Sequence, residues 1–362
     1  REALEIRRKL FRENPESFQA ELATTLTSLG SICRDTQRVG EAEQAYLEAL
    51  ELRRQLAAKN PRVFLADVTL TLNNLGALYT TTQRPREAEQ ALTEALEIRR
   101  ELARGNPRVW SSQLASTLNN LGALYSTVGR REEAEAAYRE ALGIRRELAA
   151  RNPSVFLSYL AFTLNNLGNL CATTGRLEEA ERDYQEALSI YRKLARENPD
   201  AYQPDLALTL GNLANVLCGL KRLGGSEMAY HEALGIGREL SRRNPRAFLP
   251  GVATNLSNLG SLLREAGRLE AAERAYQEAL EIRRRLARDN PSSFLPQVAT
   301  TLNNLSIVHL GRRQPGLAEE RNREAIEILE PLHRALPELH ADHCAQILGL
   351  RAEILLALGE PR

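Results

Sequence analysis

The chain of 362 residues is poor in the side chains that carry most chemistry: four cysteines, five histidines, one methionine and one tryptophan. Cys33, Cys171, Cys218 and Cys344 have no paired spacing, which argues against a disulfide framework and for a reducing, cytoplasmic setting. No apolar run nears the roughly 18 residues that cross a bilayer, and nothing resembles a signal peptide. A formal charge of +1 gives no electrostatic case for nucleic acid or for an anionic membrane as partner. Phosphate-binding loops, nucleophile elbows and paired-carboxylate clusters are missing, and His231-Glu232 lacks the second histidine of a zinc protease. The chain is therefore expected not to be an enzyme and to hold no cofactor.

What it does have is a beat of 46 residues. Asn-Pro recurs at Asn14, Asn60, Asn106, Asn152, Asn198, Asn244 and Asn290, and Leu336-Pro337 falls on the next beat. A fixed period of this size means one helical unit stacked on copies of itself, because no unit buries its apolar face alone. The expectation is one array over residues 1–362: a truncated second helix at 1–12, seven units from 14 to about 335, and a half-unit at 337–358. The chain opens at Arg1, and Met228 is its only methionine, so we read it as a piece of a larger protein.

In the second unit, Val68, Leu72, Leu75, Gly76 and Tyr79 share one helical stripe, and Ala88, Leu92, Ala95, Ile98 and Leu102 share another. Two antiparallel helices follow, the first predicted from Leu65 to about Thr81 and the second from Pro85 to Arg104. Gly129, Gly175 and Gly267 suit a left-handed turn between them. An aromatic three residues after each Asn-Pro proline (Phe18, Phe64, Trp110, Phe156, Tyr202, Phe248, Phe294) and the later Pro204, Pro250 and Pro296 predict a short separate turn ahead of the first helix. Small residues recur at the Gly30, Ala42 and Ala49 beats, as close helix crossings require. By the same register, His340 falls on the aromatic beat and Cys344 on the core beat. This weakens the one metal-like cluster, His340, His343 and Cys344.

Leu75-Gly76, Tyr79, Ala88, Ala95 and Tyr138 resemble the signature of the tetratricopeptide repeat. The run Thr117-Leu-Asn-Asn-Leu-Gly-Ala-Leu-Tyr125 resembles its longer kinesin-light-chain variety. The resemblance implies an all-α, right-handed superhelical solenoid of antiparallel helix pairs whose first helices line a concave groove.

That face is polar and uncharged: no Asp, Glu, Lys or Arg lies between Arg108 and Arg130, Pro153 and Arg176, or Pro291 and Arg312. Opposite the core stripe stand Asn74, Asn120, Asn166, Asn212, Asn258 and Asn304, flanked by Asn73, Asn119, Asn165 and Asn303. A carboxamide both donates and accepts, so this row can pair with the backbone of an extended peptide, or with neighbouring repeats to hold register. Tyr159, Phe162 and Leu208 interrupt it, as an apolar anchor pocket or as packing between adjacent helices. Gly224, Gly225, Gly235 and Gly237 weaken the second helix of the fifth unit, which marks either a hinge or drift. The Arg-Arg pairs (Arg53-Arg54, Arg99-Arg100, Arg145-Arg146, Arg283-Arg284) read as solvated surface neutralised by nearby glutamates.

The expected function is a protein-interaction module binding a peptide or protein segment, as the sensor or scaffold part of a bacterial signalling protein. The competing expectation is an architectural spacer without a peptide ligand, self-associating end to end through its uncapped termini.

Overall fold

The computed structural model describes residues 2–359, apart from the side chains of residues 335, 337, 339, 340 and 343. The two histidine side chains of the metal-like cluster, His340 and His343, lie outside the described residues. All regular structure among the described residues is α-helix. The chain divides into two compact units, Arg1–Gly175 and Arg176–Arg362.

The first unit holds α1 (Glu2–Glu13), α2 (Pro15–Asp35), α3 (Val39–Lys59), α4 (Pro61–Thr81), α5 (Pro85–Gly105), α6 (Pro107–Thr127), α7 (Arg131–Arg151) and α8 (Pro153–Thr173). The second holds α9 (Leu177–Glu197), α10 (Pro199–Gly219), α11 (Leu223–Arg243), α12 (Pro245–Glu265), α13 (Leu269–Asp289), α14 (Pro291–Gly311), α15 (Pro315–Ala335) and α16 (Pro337–Leu358). Within each unit every helix packs on its chain neighbours. First helices also touch the next first helix, α4 on α6 and α12 on α14 among them. This is the all-α array of stacked antiparallel pairs that the period predicts.

The separate Asn-Pro turn does not exist. Each first helix starts at the proline itself, and a single residue separates it from the helix before: Asn106 ends α5 and caps α6. Proline suits the first helical position because the missing N–H has no intrahelical partner there. Asn14, Asn198, Asn244 and Asn290 accept a hydrogen bond from the N–H three residues on, whereas Asn60, Asn106 and Asn152 make no such bond. Pro204, Pro250 and Pro296 are carried inside continuous helices. They stand in the second turn, where each removes one backbone bond without stopping the chain.

The turns within pairs follow expectation at Gly129, Gly175 and Gly267, with φ of +79°, +79° and +73°. The same corner is made by Gln37, Gln83, Lys221 and Arg313 at φ of 57–60°. Small residues permit close crossings: a Cβ on Gly76 would lie 2.4 Å from Leu92, and one on Gly122 would lie 2.7 Å from Tyr138. The alanines of the Ala42 and Ala49 beats are wholly buried. Phe64 and Trp110 pack, partly buried, on the cores of their repeats. The glycine-rich α11 is unbroken and as long as its sisters, 21 residues.

Candidate functional site

The arginine pairs depart most from expectation. Their first members are buried, Arg53, Arg99, Arg145 and Arg283 being only 3–7% exposed. Each reaches forward from a second helix to the first helix of the next repeat. Arg53 donates to the Asp67 carbonyl at 3.0 Å and to Thr71 Oγ1 at 2.6 Å. Arg99 donates to the Gln113 carbonyl at 2.7 Å, to Thr117 Oγ1, and through Nε to Thr69 Oγ1 at 3.1 Å. Arg145 and Arg283 repeat the pattern on Thr163 and Thr301. Burial alone lowers the pKa of Arg99 and of Arg283 to about 10. The second members do lie at the surface, yet they bridge repeats: Arg54 to Glu94, Arg100 to Glu140, Arg284 to Glu324. Exposed pairs of this kind contribute about 0–1 kcal/mol each, so they tune the stack and the buried arginines register it.

The asparagine row sorts into two depths. Asn119, Asn165 and Asn303 are buried, at 3%, 6% and 8% exposure, and Asn73 is half-buried. Asn74, Asn120, Asn166, Asn212, Asn258 and Asn304 are also half-buried and line the outer side of the first helices. The depths are bonded in the first unit: Asn120 Nδ2 donates to Asn73 Oδ1 at 3.2 Å, and Asn166 Nδ2 to Asn119 Oδ1 at 3.3 Å. Each of these outer carboxamides keeps its oxygen and one N–H for something else. In the second unit Gly211 stands where the inner asparagine would be, and Asn258 donates instead to Asn215 Oδ1 at 3.1 Å.

Tyr159 and Phe162 are 47% and 46% exposed in the first unit, and Leu208 is 58% exposed in the second. Packing against neighbouring helices leaves about half of each of these side chains open. Leu70 shares the Phe162 beat and is 42% exposed, a member of the series that periodicity alone would have found. Arg145 lies over the Tyr159 ring, 5.7 Å from its centroid, which fixes the ring at the surface.

Cys33 and Cys171 are buried as their beat predicts, whereas Cys344 is only partly buried because α16 packs on α15 and α14 alone. His309, on the Tyr79 beat, is buried with Nδ1 3.2 Å from Gln314 Oε1, and burial lowers its pKa. No group of His, Cys, Asp or Glu among the described residues is placed to hold a metal ion. No described helix is long and apolar enough to cross a membrane.

Two family models, both described as "Tetratricopeptide repeat", match the chain, one at residues 21–101, 205–285 and 252–330, the other at 114–152 and 161–200. No curated protein matches it in sequence. Among solved structures it is similar to BtubC (BKLC) from P. vanneervenii, at 25% identity and a TM-score of 0.56, covering 69% of this chain and 92% of that one. The apo form of RapI matches at 14% identity and a TM-score of 0.58 over 86% of this chain and 99% of that one. A Rap protein complexed with competence and sporulation factor matches at 14% identity and 0.55, over 88% and 76%.

Proposed function

Since the chain belongs to the tetratricopeptide repeat family, we propose that it is a protein-interaction module whose first helices hold an extended peptide. Asn74, Asn120 and Asn166 serve in the first unit, and Asn212, Asn258 and Asn304 in the second. The observation that carries this reading is the row of outer carboxamides, half-exposed and evenly spaced on helices that carry almost no charge. Backbone amides of an extended partner match such groups whatever its side chains, so affinity comes from the row and selectivity from pockets beside it. Leu70, Tyr159 and Phe162 in the first unit, and Leu208 in the second, offer apolar contact to a partner side chain. We read the module as a sensor or scaffold and assign it no reaction.

The bonds from Asn120 to Asn73 and from Asn166 to Asn119 favour a second reading, an architectural spacer in which the row only keeps register. Selection from a random peptide library, followed by calorimetric titration of the wild type and an Asn120→Ala/Asn166→Ala variant, separates the two. Loss of peptide affinity with an unchanged circular dichroism spectrum supports the binding row. Undiminished affinity moves the peptide site off the row, whereas a library that yields no binder, with a lowered Tm in the variant, leaves the spacer, and sedimentation would then reveal its self-association.

A further inference from the structure

One cavity of the second unit breaks the repeat's own rule. It encloses about 280 Å³ between α10, α11 and α12. Its lining includes Gly211, Gly237, Gly251 and Asn255. Counting back three repeats of 46 residues, these four positions are Asn73, Arg99, Gln113 and Thr117. In the first unit Arg99 and Thr117 of that quartet form the buried junction, with Arg99 donating to the Gln113 carbonyl and to Thr117, while Asn73 is half-buried and the Gln113 side chain exposed. Here the arginine, the inner asparagine and the glutamine are all reduced to glycine, and the threonine has grown to asparagine. The space a guanidinium fills elsewhere is therefore open.

The three glycines and Asn255 fit one another. A Cβ on Gly211 would stand 2.6 Å from Asn255 Oδ1, so the inner asparagine of the other repeats has no room beside this side chain. Asn255 is partly buried and makes no hydrogen bond among the described residues. An idle carboxamide over an open cavity is a poor packing element and a good recognition element, since filling the space restores its lost partners. The cavity has no Asp, Glu, Lys, Arg or His in its lining; Leu208, Leu240 and Val252 are among its apolar walls, and its other polar side chains, Asn212, Asn215, Thr254 and Asn258, are all uncharged. It also meets the outer row at Asn212 and Asn258, so it adjoins the peptide path proposed above.

We infer that this cavity is a specificity pocket for a glutamine side chain of the bound peptide, whose aliphatic stem meets the apolar walls and whose amide pairs with Asn255. Glutamate and lysine are rejected because nothing in the pocket compensates a desolvated charge. The inference rests on the peptide-binding reading but has its own readout.

The test uses the full chain with methyl-labelled leucine and valine, titrated with acetylated, amidated alanine/serine peptides of about twelve residues, roughly 40 Å when extended. Each carries one central guest: Gln, Glu, Lys or Leu. The expected result is movement of the Leu208, Leu240 and Val252 methyl resonances, with the Gln guest at least about tenfold tighter than the other three. Gly237→Arg with Asn255→Thr rebuilds the sister junction and should abolish this preference. An arginine is compatible with Val252, because Val68 and Val298 hold the equivalent place after Arg53 and Arg283. Asn255→Asp, nearly isosteric, should weaken the Gln guest and favour the Lys guest. Equal affinity for all guests, unmoved methyl resonances, or a Gln preference that survives either variant would overturn the pocket. Asn304→Ala, in the outer row of the same unit but outside the cavity, keeps the two proposals apart: it lowers affinity for every guest if the row binds backbone, and it leaves guest preference intact if only the pocket is real.

Discussion

Arg99 and Thr117 lie 18 residues apart and meet across a repeat boundary in a site where both are buried. The guanidinium has no carboxylate beside it there; hydroxyls and a carbonyl satisfy it. Removing one partner and removing both should therefore differ. Thr117→Val strands a buried donor and should cost about 1–3 kcal/mol. Arg99→Met with Thr117→Val should recover much of that loss, because an apolar pair of similar volume needs no hydrogen bonds. Urea melts of the two single variants and the double variant measure the coupling. Additive losses would show that the pair does not act as a unit.

Glycines of a single repeat should respond in opposite directions. Gly122→Ala drives a Cβ to 2.7 Å from the Tyr138 ring and should destabilise by about 1–3 kcal/mol. Gly143 lies inside α7 with nothing within 4 Å of its Cβ position. Gly143→Ala should stabilise by about 0.5–1 kcal/mol through helix propensity alone. Thermal denaturation of both decides the matter, and shifts of the same sign would contradict the crossing geometry.

The Asn-Pro beat should not be energetically uniform. Asn244 accepts a hydrogen bond from the Ala247 N–H at 3.2 Å, while Asn60 makes no cap bond. Asn244→Ala should cost about 1 kcal/mol and Asn60→Ala clearly less. Comparing their denaturation midpoints tests whether the cap or the backbone turn keeps asparagine at this place.

Tyr138 gives the array an alkaline limit. Burial holds its phenol well above the ordinary value of 10. Above pH 10 the unfolded chain therefore releases this proton while the native chain keeps it. The native state then binds more protons, and stability falls as pH rises, by up to about 1.4 kcal/mol per pH unit for one such group. Below pH 10 the contribution is fully present. Tyr138→Phe should flatten the fall in Tm between pH 10 and 11. An unchanged slope would mean that other groups govern it.

The sequence by itself determined the 46-residue period, the paired helices, the small residues at each crossing and the left-handed corners at Gly129, Gly175 and Gly267. These follow from local stereochemistry and from apolar spacing along a single helix. It also placed Asn74, Asn120 and Asn166 on the face opposite the core. It misjudged the helix starts, because proline after asparagine reads equally well as a turn and as a cap followed by the first helical residue. Only the tertiary structure decided that Arg99 is buried, that Asn120 bonds Asn73, and that Gly237, Gly211 and Asn255 open one cavity. Those outcomes join residues 18 to 47 positions apart, on helices whose relative placement sets what each side chain can reach. Arginine in a charged helix looks solvated until the next helix arrives with a threonine and a carbonyl to receive it.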